Sequence, residues 1–142
     1  MATLAQGTLS EALGASGTEV LTDDTARDFY AHDIYARGAD LAAIVRPADK
    51  HQLAAAIAAA TAAGHAVVPR GGGMSYTGGY TQDRPGAVLF DLARMDRVLS
   101  IDEADMTVTV EAGCTWAALH ADLAPRGLRT PRPRDPDSAD QP

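Results

Sequence analysis

The chain reads Val67-Val-Pro-Arg-Gly-Gly-Gly-Met-Ser-Tyr-Thr-Gly-Gly79, in which a short apolar run passes directly into a loop with five glycines. Glycine has no Cβ, so such a loop takes positive φ angles and lets its backbone approach a ligand closely. Consecutive amides then point inward together and form a concave nest that binds phosphate oxygens. Arg70 adds a positive charge, and Ser75 and Thr77 add hydroxyl donors. The loop is therefore a candidate anion-binding site.

The segment before the loop has the pattern of a strand, a helix and a second strand. Leu41 to Val45 is a short apolar run of the kind found in buried strands. Asp49 is placed to cap a helix that carries Leu53 and Ile57 on one face, and Gly64 is placed to end it. A helix of this length between two strands predicts a right-handed crossover between parallel strands. Because ligands of open α/β sheets gather at the carboxyl ends of strands, the loop lies where such a fold binds them.

Local patterns predict further elements on both sides of this unit. The last of these elements is a helix after Thr115, which carries Trp116, Leu119 and Leu123 on one face. We therefore expect Trp116 to be part of the core, and we expect Cys114 to be a small buried residue. The fold class is α+β, with parallel strands and helices followed by the start of an antiparallel subdomain. The other predicted elements are a helix over 3–14, a short helix capped by Asp23 or Asp24, a strand over 87–90, and a hairpin of 97–101 with 107–111.

Composition narrows the classes of function. The chain has 142 residues, 46% hydrophobic and 22% charged, which predicts one folded core. A net charge of −7 without a basic cluster argues against a nucleic-acid partner, and the sequence has no apolar stretch of membrane-spanning length. One cysteine excludes an internal disulfide, and the four histidines lack metal-ligand spacing. We therefore expect a cytoplasmic protein with no metal site and no membrane span.

Two well-known phosphate loops do not fit this one. A P-loop ends in Gly-Lys-Ser or Gly-Lys-Thr, whereas Gly79 is followed by Tyr80. The dinucleotide fingerprint needs a third glycine where counting from Gly71 and Gly73 reaches Tyr76, and no helix follows promptly to hold a pyrophosphate. Asp91 does end a later strand, as the dinucleotide fold would require. The spacing nevertheless favours a third kind of phosphate loop.

Five stretches follow one another along the chain: Ile44-Val-Arg-Pro47, the alanine-rich helix, Val67 to Gly79, Val88-Leu-Phe-Asp-Leu92 and Val108-Thr-Val-Glu-Ala-Gly-Cys-Thr-Trp116. In this order they resemble the FAD-linked oxidase family, whose FAD-binding domain is of the vanillyl-alcohol oxidase/p-cresol methylhydroxylase type. Its members include D-lactate dehydrogenases and glycolate oxidase subunits. The resemblance covers about residues 37–131.

The resemblance implies that the loop binds the pyrophosphate of FAD, largely through main-chain amides, in an enzyme that passes hydride from a hydroxy acid or other alcohol to the flavin. Relatives that attach FAD covalently often carry a histidine where this chain has Met74, so we expect non-covalent FAD. No catalytic residue is assigned. The implied cofactor-binding residues are Pro69, Arg70, Gly71, Gly72, Gly73, Met74, Ser75, Thr77, Gly78 and Gly79.

The likeness stops near Thr130-Pro131, where the composition turns to proline, arginine and aspartate. We expect three parts: an N-terminal helical extension (1–36), a partial FAD-binding domain (37–131) and a disordered Pro-rich tail (132–142). The family's second glycine-rich motif and substrate domain are absent from this sequence, which suggests a truncated gene or a shifted reading frame. A second hypothesis is therefore a non-catalytic remnant or interaction module that no longer binds flavin.

Overall fold

Four strands form the central sheet of the computed structural model, which describes residues 2–131. The sheet has the order β1-β2-β4-β3, in which β2, β4 and β3 run parallel and β1 is antiparallel to β2. As predicted, the two strands joined by the crossover helix are parallel, and β4 lies between them. The strands are β1 (Glu19–Leu21), β2 (Leu41–Arg46), β3 (Val67–Arg70) and β4 (Ala87–Asp91).

The sheet is covered on both faces, which explains why its central strand is apolar. All five residues of β4 are buried. Phe90 and Val88 belong to a core cluster with residues of α1 (Ala2–Gly14) and α3 (Lys50–Ala62). Leu89 belongs to a second cluster, against which Tyr30 of α2 (Asp24–Tyr30) packs. The N-terminal segment, residues 2–40, therefore contributes two helices and the edge strand β1 to the fold.

The crossover helix α3 begins and ends where the sequence predicts. The Asp49 side chain accepts hydrogen bonds from the amides of His51 and Gln52, and Gly64 follows the helix with a φ of 81°. Its fully buried residues are Ala56 and Ala60, whereas the predicted face of leucine and isoleucine is only partly buried against the core. Small side chains thus form the part of α3 in closest contact with the sheet.

A separate antiparallel hairpin follows the sheet, as predicted. It consists of β5 (Val98–Asp102) and β6 (Thr107–Val110) and leads to α4 (Trp116–Leu123), which is capped by Thr115. A two-stranded sheet of this kind has little stability of its own. Arg97 and Glu111 support it, because the Arg97 guanidinium donates to both carboxylate oxygens, at 2.6 and 3.0 Å.

Two expectations of burial near α4 are wrong. Leu119 and Leu123 are buried, but the Trp116 side chain is 72% exposed because the first turn of α4 leaves it beside the glycine-rich loop instead of over the core. Cys114 is half-buried, since it also faces this loop. The Pro-rich tail lies outside the described residues. Within residues 2–131, no helix is long and apolar enough to cross a membrane.

Candidate cofactor-binding loop

The glycine-rich loop (residues 71–79) begins at the carboxyl end of β3. The register pairs Arg70 with Asp91, so the loop leaves the sheet directly beside the end of the central strand. This is the edge of a parallel sheet at which ligands bind. The sequence predicted this position from the strand-helix-strand pattern alone.

The far half of the loop, residues 77–79, is held by hydrogen bonds within the protein. The Ser75 hydroxyl accepts from the amides of Gly79 at 2.8 Å and Thr77 at 3.4 Å. The Gly78 amide donates to a carboxylate oxygen of Asp33 at 3.0 Å. These three amides therefore have acceptors already, and a ligand would have to compete with them.

The near half of the loop, residues 71–76, offers its amides to a ligand. Among the residues that the structure describes, none accepts a hydrogen bond from the amides of Gly71 to Tyr76. Gly72 is exposed, and space is open where its Cβ would be. Met74 is also exposed, at 75%. Because Gly72 has no Cβ to block access, this run of amide donors fits a phosphate group. It is the feature of the loop most suited to an anion.

Arg70 lies beneath the loop, with 17% of its side chain exposed. Its guanidinium carbon is 5.1, 5.3 and 6.0 Å from the ring centroids of Tyr30, Tyr80 and Phe29. A Cβ at Gly73 would overlap the guanidinium, and the φ of 73° at that glycine is one that other residues rarely adopt. Arg70 therefore supports the backbone of the loop, a role that its sequence position did not reveal.

A buried carboxylate anchors this arrangement from the sheet. Asp91 is 3% exposed and accepts a 2.6 Å hydrogen bond from the Tyr30 hydroxyl. Its oxygens lie 3.3 Å from Arg46 Nε and 3.9 Å from Arg70 Nη1. Burial, followed by the hydrogen bond to Asp91, raises the pKa of Tyr30 to about 12. This hydroxyl therefore stays protonated at neutral pH and donates a hydrogen bond to Asp91. The charge of Asp91 is thus shared by two arginines at the ends of neighbouring strands.

The loop faces a second segment across a cleft of about 370 Å³. Residues 71–75 form one side, residues 113–116 form the other, and Tyr80 also lines the cleft. Gly113 lets its segment pack closely against the chain that follows β4, because a Cβ there would overlap the carbonyl oxygen of Leu92. Trp116 gives the cleft a large exposed aromatic surface. The sequence places these two segments 40 residues apart and holds no signal that joins them.

The structure gathers the predicted residues around one loop but divides them by environment. Pro69 is an exposed residue of β3, Arg70 lies beneath the loop, and the serine and the last two glycines are engaged in holding its shape. Sequence reasoning missed Asp33 and Tyr30, which reach the loop from the N-terminal segment, and gave Asp91 no part in the site. Within the described part of the chain, no group of three or more metal-ligating side chains could hold an ion.

Comparison with known proteins identifies the family to which the chain belongs. Residues 41–139 match the family described as an FAD binding domain. An L-gulono-1,4-lactone dehydrogenase of Mycobacterium tuberculosis is 39% identical over 98 residues, which is 68% of this chain and 22% of that protein. An uncharacterized FAD-linked oxidoreductase of the same species is 32% identical over 122 residues, 84% of this chain and 26% of that protein. The chain therefore spans about a quarter of the length of these relatives.

A solved structure of substrate-bound p-cresol methylhydroxylase superposes with a TM-score of 0.69 at 16% identity, over 90% of this chain and 26% of that one. At this identity the likeness establishes the fold alone. The cofactor is established by the family match and by the FAD-linked relatives. The chain belongs to the FAD-linked oxidase family through its FAD binding domain, and its fold is like that of p-cresol methylhydroxylase.

Proposed function

We propose that this chain supplies the pyrophosphate-binding part of a flavin-dependent oxidoreductase that acts on the CH–OH group of a hydroxy acid or alcohol. The observation that carries the proposal is the row of amides from Gly71 to Tyr76, which have no acceptor within the described residues. They lie at the ligand-binding edge of the sheet, beside a cleft with an exposed aromatic wall.

Main-chain donors suit this chain because its net charge of −7 would otherwise repel an anion. A hydrogen bond to a charged acceptor contributes about 1.5–3 kcal/mol, so three or four of them offset much of the cost of ordering a ligand. Ser75 and Thr77 have hydroxyl protons to donate. Arg70 adds positive charge from beneath the loop, where Asp91 balances part of it. The proposed FAD contacts are those of residues 69–79, with the amides of the near half contributing most.

Bound FAD would supply the acceptor for the hydride that leaves the substrate carbon. The residues of this chain would hold the cofactor, orient it and keep water from one side of it. Met74 has a thioether that forms no bond of the kind a histidine makes with flavin, so the cofactor in this proposal is held without a covalent link at this position.

The substrate class is proposed from the relatives. One of them is a dehydrogenase named for L-gulono-1,4-lactone, while the solved structure with the same fold is a p-cresol methylhydroxylase. Enzymes of one fold carry out different reactions, so the fold alone does not select the alcohol. The chain spans about a quarter of its relatives, and the division into an N-terminal extension, a partial FAD-binding domain and a tail is part of the same proposal.

The 142-residue chain itself provides the test. Purified protein is titrated with FAD, and binding is followed by flavin absorbance and fluorescence. ADP, which carries the pyrophosphate, should compete, whereas riboflavin, which has no phosphate, should not. Acid precipitation should release all of the flavin, as expected of non-covalent binding. A folded, colourless chain that ignores added FAD would instead support the alternative of a remnant or interaction module that no longer binds flavin.

A further inference from the structure

The N-terminal segment touches the glycine-rich loop although it precedes the matched FAD binding domain, residues 41–139. The match begins at residue 41. Asp33, eight residues earlier, accepts the Gly78 amide through Oδ2 at 3.0 Å. Its other carboxylate oxygen accepts the amides of Tyr35 and Ala36, each at 2.7 Å. One carboxylate thus joins a turn of the N-terminal segment to the far half of the loop.

The charge of Asp33 is suited to this role. The backbone amides of Ala36, Tyr35 and Gly78 hold the pKa of the carboxyl group below its usual range. The group is therefore ionised at neutral pH and accepts all three bonds at once. An ionised acceptor makes stronger hydrogen bonds than a neutral one.

The same segment supports the near half of the loop through Arg70. The rings of Phe29 and Tyr30 flank the guanidinium that lies under Gly73. The Tyr80 hydroxyl donates to the Gly73 carbonyl at 2.8 Å. The backbone of Gly73 is therefore contacted by Arg70 and by Tyr80, and α2 contributes two of the rings that hold Arg70.

The segment stays in contact with the chain beyond the loop. The Ala39 amide donates to the Gln82 carbonyl at 2.6 Å, and the Gly86 amide donates to the Asp40 carbonyl at 2.8 Å. Gly38 allows this approach, because a Cβ there would lie 2.6 Å from the Gln82 amide nitrogen. Residues 29–40 therefore contact the loop and the residues that follow it.

We propose that Asp33 is a positioning residue of the cofactor site, which holds the glycine-rich loop in the conformation that presents its near-half amides to the FAD pyrophosphate. This inference rests on the proposed function. A loop held in its binding conformation before the ligand arrives loses less entropy on binding, so the gain appears as affinity. The N-terminal segment is then a component of the site instead of an appendage to the domain.

The experiment compares Asp33→Ala and Asp33→Asn with Asp83→Ala, which changes an exposed carboxylate that makes no hydrogen bond or ion pair within the described residues. In the FAD-free chain, Asp33→Ala should speed hydrogen exchange of the Gly78 amide, measured by NMR, while the amides of β4 keep their protection. Asp33→Asn should fall between, because its side-chain carbonyl still accepts. FAD affinity should drop about tenfold for Asp33→Ala, whereas Asp83→Ala should match the wild type.

Unchanged Gly78 exchange in Asp33→Ala would overturn the inference, and so would wild-type FAD affinity in that variant. The two arms also separate this proposal from the one on which it rests. If the wild-type chain binds no FAD, the proposed function fails, and a faster Gly78 exchange in Asp33→Ala would still support the positioning of the loop by Asp33.

Discussion

Replacing Gly73 with alanine tests whether the loop is supported from below by Arg70. An alanine at this position has to adopt the φ of 73° seen for the glycine, and its Cβ overlaps the Arg70 guanidinium. The guanidinium is the end of a flexible side chain, but moving it separates it from three aromatic rings and from Asp91. The substitution therefore carries two costs, one in the backbone and one in the contacts of Arg70.

The magnitude follows from these two costs. A left-handed conformation costs a non-glycine residue about 1–2 kcal/mol. Loss of a cation–π contact costs about 0.5 kcal/mol where the pair is exposed and about 2 kcal/mol where it is buried, and Arg70 lies between these limits. We expect Gly73→Ala to lower the free energy of unfolding by about 1.5–4 kcal/mol.

Two other glycines separate the costs. Gly64 has a φ of 81° and open space around its Cβ position, so Gly64→Ala measures the backbone cost alone, about 1–2 kcal/mol. Gly72 has open space and no positive φ, so Gly72→Ala should be neutral or stabilise the chain by a fraction of a kcal/mol, about 0.4–1. Urea unfolding followed by far-UV circular dichroism measures all three. If Gly73→Ala costs no more than Gly64→Ala, the reasoning about Arg70 is refuted.

Two further predictions concern the cleft and the hairpin. Trp116 is the chain's one tryptophan and lines the cleft. FAD should therefore quench its fluorescence with the same saturation curve as flavin binding, whereas riboflavin at equal concentration should not quench it. Quenching by FAD that does not saturate would remove Trp116 from the site. Hydrogen bonds from the side chain and then the backbone of Arg97 lower the pKa of Glu111 from 4.5 to about 2 in the folded chain. The stability due to this pair is therefore present above pH 4.5 and is lost as the pH falls towards about 2. The thermal midpoint of Glu111→Gln should change less than that of the wild type over this range, and parallel curves would contradict the assignment.

The elements that the sequence predicted are those with local signals. Asp49 and Gly64 mark the ends of α3 within a few residues of the positions they cap, and the polar residues 102–105 mark the turn of the hairpin. The apolar run of β4 required burial on both faces, whatever covered them. The loop was predicted because glycine spacing is itself a local property. In each case the physical cause and its effect lie within one short stretch of chain.

Sequence reasoning failed where the cause is distant along the chain. Trp116 has the helical spacing of a core residue, but the first turn of α4 lies beside a loop 40 residues earlier, so its side chain is exposed to the cleft. Asp33 reaches Gly78 across 45 residues, and its local pattern indicates only a turn. The rings around Arg70 come from α2 and from beyond the loop. These contacts depend on how the N-terminal segment packs, which periodicity and capping do not specify.

Asp91 ends a strand, as a carboxylate does in a dinucleotide-binding fold, but it has a different role here. A dinucleotide-binding fold would use a carboxylate at the end of a strand to bind a ribose hydroxyl. Here the parallel register places Asp91 beside Arg70, with Arg46 at the end of the strand on the other side, and Tyr30 donates to it from α2. A carboxylate that is 3% exposed and so engaged is closed to a ribose. Its charge serves instead to hold Arg70 beneath the loop, and the ligand is left to the main-chain amides above.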